Sequence, residues 1–133
     1  MTHKKLKGMR IDIENNVAEL VTLDNELEAF YKALNCEYID IYRRKIGDRW
    51  YMVLCDDEGA LKPHPIASAI DCFGQVAFYG NLLIVSGRHD EGELYSLTES
   101  EIENLKYNVS TQVKDKSGKI IDKVMLFNVR YHD

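Results

Sequence analysis

The chain has no apolar run approaching the roughly 20 residues needed to cross a bilayer as a helix, so no helical membrane span is expected in it. Its opening, MTHKKLKGMRIDIE, is basic but holds no apolar segment, and no secretory signal is expected there. Cysteine is scarce: Cys36, Cys55 and Cys72 are odd in number and widely spaced. That excludes a disulfide framework and a CxxC metal pair, and points to reduced thiols in a cytoplasmic protein. The only prolines, Pro63 and Pro65, lie together and exclude a central strand there. Glycine-rich phosphate loops, GxSxG elbows and HExxH pairs are all missing. The sequence therefore assigns no catalytic residue, no metal ligand and no cofactor. Acidic residues are interleaved with the Lys and Arg, and the net charge is -5. Wrapping of a nucleic acid backbone is not expected from such a surface.

What remains is enough for one domain over residues 1–133, with 45% hydrophobic residues to build a core. Met9, Ile11 and Ile13 alternate with Arg10, Asp12 and Glu14, the pattern of a half-buried strand. Asn15-Asn16 suits a tight turn into a second strand over 17–23. Leu27, Phe30, Tyr31 and Leu34 then form the apolar stripe of a short helix. Asp24 or Asn25 is its expected cap, the latter in a box with Glu28, and Asn35 its left-handed stop. Strands follow over 37–44 and 49–55, the second apolar on both faces and so central. A helix starting at Pro65 is expected to turn Ile66, Ala69, Ile70 and Phe73 inward. Short strands over 75–79 and 82–86 flank the hairpin-type dipeptide Gly80-Asn81, and 93–97 reads as an edge strand. Thr98 with Glu101 has capping-box spacing for another helix. Residues 107–113 and 119–131 close the chain as a long hairpin. The sum is an α+β domain: a curved, mostly antiparallel sheet, open or barrel-like, with two or three short helices on one face.

The order of these pieces resembles a known family. VAELVTLD, NELEAFYKALNC, EYIDIY, CDDEGALKPHPIA, YGNLLIVSG and LYSLTESEI follow one another over residues 17–103. Tyr38, Ile39 and Asp40 match the family's tyrosine-isoleucine-acid strand. Asp57, Glu58, Gly59 and Leu61 match its acidic turn, and Pro65 with Ala67 its proline segment. Asn35-Cys36 stands where paired glycines are usual, and Ile66 where asparagine is. The resemblance is to small uncharacterised proteins of phages, plasmids and conjugative elements, known as a domain of unknown function. It implies a mobile-element accessory role and carries no catalytic residues to transfer. Residues 104–133 fall outside it and read as an appended hairpin, through which a homodimer could form over 107–131.

Three site readings arise. Arg43, Arg44 and Arg49 flank one turn, near Tyr38, Tyr42 and Tyr51. Guanidinium forks beside aromatic rings suit a small anionic ligand or a host-protein hot spot. Asp56, Asp57 and Glu58 with His64 and His89 raise the alternative of a hydrolase acting on a nucleotide-like substrate, although consecutive acids diverge on a turn. A structural role in self-assembly is the third. The favoured expectation is a non-enzymatic binding protein.

Overall fold

The computed structural model of the chain describes residues 5–88, 90, 92–114 and 116–132. Strands β1 (Lys5–Asp12) and β2 (Val17–Asp24) form a hairpin of eight uninterrupted pairs, and Asn16 turns it at φ 58°. Helix α1 (Leu27–Leu34) stops at Asn35, which is left-handed as expected. Its start differs from expectation. Glu26 is the N-cap and no side chain caps it, because the Asn25 amide donates instead to the Leu94 carbonyl at 3.2 Å.

Strands β3 (Ile39–Ile46) and β4 (Arg49–Asp56) pair along their whole length around Gly47-Asp48. A 3-10 turn (Gly59–Leu61) leads to β5 (Ala67–Asp71), β6 (Val76–Tyr79) and β7 (Leu82–Ser86). Helix α2 (Glu99–Asn108) carries the expected Thr98–Glu101 capping box and runs into β8 (Val109–Lys114) and β9 (Ile120–Arg130). The strand order is β2-β1-β7-β4-β3-β9-β5-β6, with β8 also on β9. All pairings are antiparallel except β5 with β9. As expected, β4 is an inner strand, between β7 and β3.

The expected helices on one face are instead two α-helices on opposite faces. Phe30 and Leu34 of α1 pack on Leu6, Leu54, Leu83 and Val85. Ile102 and Leu105 of α2 pack on Met9, Ile11, Val53, Leu82 and Ile84. Successive strand residues point to opposite sides, so β4 and β7, apolar at nearly every position, need a cover on both. The loop between β7 and α2 makes the crossing: Leu94 joins one cluster and Leu97 the other. It is held by single backbone bonds, Tyr95 carbonyl to Ser86 N–H and Leu97 N–H to the Lys7 carbonyl. That is too little pairing for the strand expected over 93–97.

The sheet is curved but open; the barrel-like alternative is overturned. Its end strands, β2 and β6, do not pair. β6 has only four residues, and two register shifts interrupt its pairing with β5. Such an edge is too short and irregular to zip closed. Further corrections are local. Residues 67–71 form a strand, not a helix, because small Ser68 and Ala69 fit fully buried beside β6 and β9. Phe73, expected inside, is exposed. Gly80-Asn81 is no hairpin turn but a crossover, since β6 and β7 lie far apart in the sheet. The Asn81 amide bridges there, accepting from Ile13 N–H at 3.0 Å and donating to the Leu34 carbonyl. The C-terminal hairpin is no appendage: β9 lies between β3 and β5, and its Val124, Leu126 and Val129 belong to the larger core.

Candidate functional site

Register decides what the arginines and tyrosines can do together. Directly opposed residues of an antiparallel pair share a face, and neighbours along a strand do not. Arg44 opposes Tyr51 and Tyr42 opposes Val53, so these four lie on the α2 side. Arg43 opposes Met52 and lies on the α1 side, where its guanidinium sits 4.7 Å over the Trp50 ring. The sheet therefore divides the six-residue patch expected from the sequence. Tyr38 and Arg49 are exposed at opposite ends of the β3–β4 ribbon. Tyr51 is fully buried, donating to the Glu101 carbonyl at 2.7 Å and accepting from the Asn104 amide at 2.9 Å. Burial pushes its phenol up to about 12. It is a core residue and faces no ligand.

What comes together is Tyr42 and Arg44 with partners the sequence did not reveal. The Arg44 guanidinium lies 4.8 Å from the Tyr42 ring and 4.7 Å from the Tyr131 ring. Two aromatic faces hold one cation by its attraction to their π-clouds. The rings are themselves fixed: Tyr42 donates to Asp40 at 3.1 Å, and Tyr131 to Asp71 at 3.4 Å. Both phenols are pushed up, Tyr42 mainly by its bond to Asp40 and Tyr131 mainly by burial. Arg44 donates one Nη to the Arg43 carbonyl at 3.0 Å, while its buried Nε has no protein acceptor.

The sheet curls so that β6 comes over β3, with the Phe78 and Tyr42 ring centroids 6.0 Å apart. A cleft of about 270 Å³ opens between them, lined among others by Arg44, Cys55, Asp57, Phe78 and Tyr79. Gly59 packs directly behind Tyr79, where an added Cβ would lie 2.7 Å from the Tyr79 carbonyl oxygen. The rim is acidic. The hydrogen bond and charge of Asp40 push the Asp57 carboxyl above its ordinary range. Cys55 at the back offers no nucleophile: burial, with the charge of Asp40 opposite it on β3, pushes its thiol up to about 12. Cys72 is exposed by contrast. A disulfide dye at mildly alkaline pH should therefore titrate Cys72 rapidly and reach Cys55 only after denaturant is added. Rapid modification of Cys55 in the native protein would show that the cleft's back wall is open.

The residues of the hydrolase alternative spread out. Asp56 accepts from Glu58 N–H at 2.9 Å and pairs with Lys62 at 3.4 Å. Asp57 and Glu58 are exposed. His64, at φ 55°, lines a separate groove of about 310 Å³ with Asp56, Lys62 and Asn81. His89 lies outside the described residues. Among those described, no three of His, Cys, Asp and Glu are grouped to hold a metal ion, and no helix is long and apolar enough to cross a membrane.

Sequence comparison extends the family likeness beyond its motifs. Residues 6–110 match the profile of a domain of unknown function, DUF3846, a wider span than the motifs over 17–103. No curated protein and no solved structure matches the chain. The match takes in every element from β1 to α2, including β3, β4 and β6 that wall the cleft, and the chain belongs to the DUF3846 family.

Proposed function

We propose that this protein is a non-enzymatic accessory protein of a mobile genetic element, and that it binds a small anionic ligand in the cleft lined by Tyr42 and Arg44. The observation that carries the reading is the Arg44 guanidinium, clamped between two rings with a buried Nε–H that no protein group accepts. A preset planar cation with spare donors matches a carboxylate or phosphate. The walls narrow the class. Phe78, Tyr79 and Tyr42 suit a flat ring, and Asp56 and Asp57 repel the added charges of a di- or triphosphate chain. A nucleoside monophosphate fits better than a triphosphate.

A thermal-shift series of nucleoside mono-, di- and triphosphates tests this. A monophosphate at about a hundredfold its Kd should stabilise the fold by about 2.7 kcal/mol. Arg44→Ala should remove that shift. If no member of the series raises the midpoint, the cleft is not the binding site.

A second reading, contact with a host protein, is favoured by the opposite face. There Arg43 covers Trp50, and Ile41 beside them is exposed. Arginine and tryptophan are the residues that most often dominate protein interfaces. If this reading holds, Trp50→Ala should abolish pull-down of one host protein while Arg44→Ala leaves it intact.

A further inference from the structure

Among the described residues three strands end the sheet, β2, β6 and β8, and they differ in how well they are guarded. β6 is four residues long and its pairing is broken by register shifts; β8 pairs with β9 through a shift between Ser110 and Gln112. β2 runs eight residues with no shift, and VAELVTLD contains no proline, lysine or arginine. Open strand edges are normally blunted by such residues, by bulges or by shortness, because their free backbone groups otherwise pair with another strand. β2 has none of these guards; its only charges are the carboxylates of Glu19 and Asp24, the latter paired with Lys5 on β1. It also exposes Val17 at 39% and Leu20 at 40%.

We propose that β2 is the docking edge for a second copy of this chain, which pairs antiparallel to it and joins the two sheets. The strand complements itself. A two-fold axis normal to the sheet at Leu20 places Leu20 against its own copy and Ala18 against Thr22. On the other face it sets Glu19 against Val21 and Val17 against Leu23. No acid meets an acid in that register, and both exposed aliphatic residues are covered. Leu20 opposes Met9 across β1 and lies on the same face as Ala18, which packs on the larger core. The Leu20 pair therefore extends that core through the junction. One eight-residue strand buries less than the roughly 1,200 Å² at the low end of stable interfaces, so the dimer forms reversibly with concentration. This edge lies apart from residues 107–131, where β9 is an inner strand and the β8 edge carries a register shift.

Sedimentation equilibrium over about a hundredfold range of concentration tests the proposal. The mass should climb from 15.4 kDa toward twice that value. Leu20→Lys, which sets two ammonium groups face to face, should hold the protein at monomer mass. Thr22→Lys should do the same and serves if the first variant folds poorly. Val76→Lys, on the β6 edge, should leave the association unchanged. Hydrogen exchange at high and low concentration should differ at residues 17–24. A monomer throughout, a dimer indifferent to both β2 lysines, or concentration-dependent protection at 109–114 instead would each overturn the assignment.

Discussion

Gly87→Ala should destabilise the protein by about 4 kcal/mol or more, at the upper end of what a single added methyl does to a packed interior. Gly87 follows β7, one residue beyond the pairing of Ser86 with Tyr51. A Cβ there would lie 2.0 Å from the Trp50 carbonyl oxygen and 2.4 Å from its carbon. Both are backbone atoms of the central strand, so no side chain can rotate away to make room. Relief requires β7 to move from β4, and with it the pairs from Tyr51–Ser86 to Cys55–Leu82. Gly80→Ala is the matched control. At Gly80 an added Cβ meets nothing within 4 Å, and only its φ of +84° is unfavourable, at about 1 kcal/mol. Equilibrium urea denaturation of both variants gives the comparison. If the two midpoints fall together, β4 and β7 are not as close as described.

Parts of this architecture were legible because local chemistry and tertiary context agreed. The β1–β2 turn at Asn16, the Asn35 stop of α1 and the Thr98–Glu101 box all rest on short-range rules. The lack of alternation in β4, apolar on both faces, gave its inner position. The failures have a common cause in distant pairing. Residues 66–73 satisfy a helical spacing, but partnership with β6 and with β9, more than fifty positions away, decides for strand. The insertion of β9 likewise brings Tyr131 to Arg44, and no local pattern announces a contact 87 positions apart. The division of the arginine patch was legible in principle. Arg43 and Arg44 are adjacent on one strand, so a pleated backbone must send them to opposite faces. Tyr42 shares its parity with Arg44, and that pair alone of the six forms the wall of the cleft.

Glu101→Gln should cost about 2 kcal/mol although it changes one atom, and Glu101→Ala about 3. Glu101 is only 8% exposed, and it ties the start of α2 to the end of β7. One carboxylate oxygen accepts from the Thr98 backbone N–H at 2.8 Å, closing the capping box. The other accepts from the Ser86 hydroxyl at 2.9 Å and, more weakly, from Gly87 N–H at 3.4 Å. Both oxygens are thus acceptors facing donors. Glutamine can supply one acceptor only, and whichever way its amide turns, an NH₂ group confronts a backbone N–H. The negative charge at the helix N-terminus is lost as well, which adds a few tenths of a kcal/mol. Because the group is buried, raising the salt concentration should change the deficit little, whereas an exposed ion pair would be screened. A double-mutant cycle with Ser86→Ala isolates the side-chain bond and should return a coupling of about 1 kcal/mol. The same substitution bears on the core below, since the Glu101 carbonyl receives the Tyr51 hydroxyl. A Glu101→Gln protein within about 0.5 kcal/mol of the parent would mean that the bracket between α2 and β7 is held by apolar packing of Ile102 and Leu105 alone.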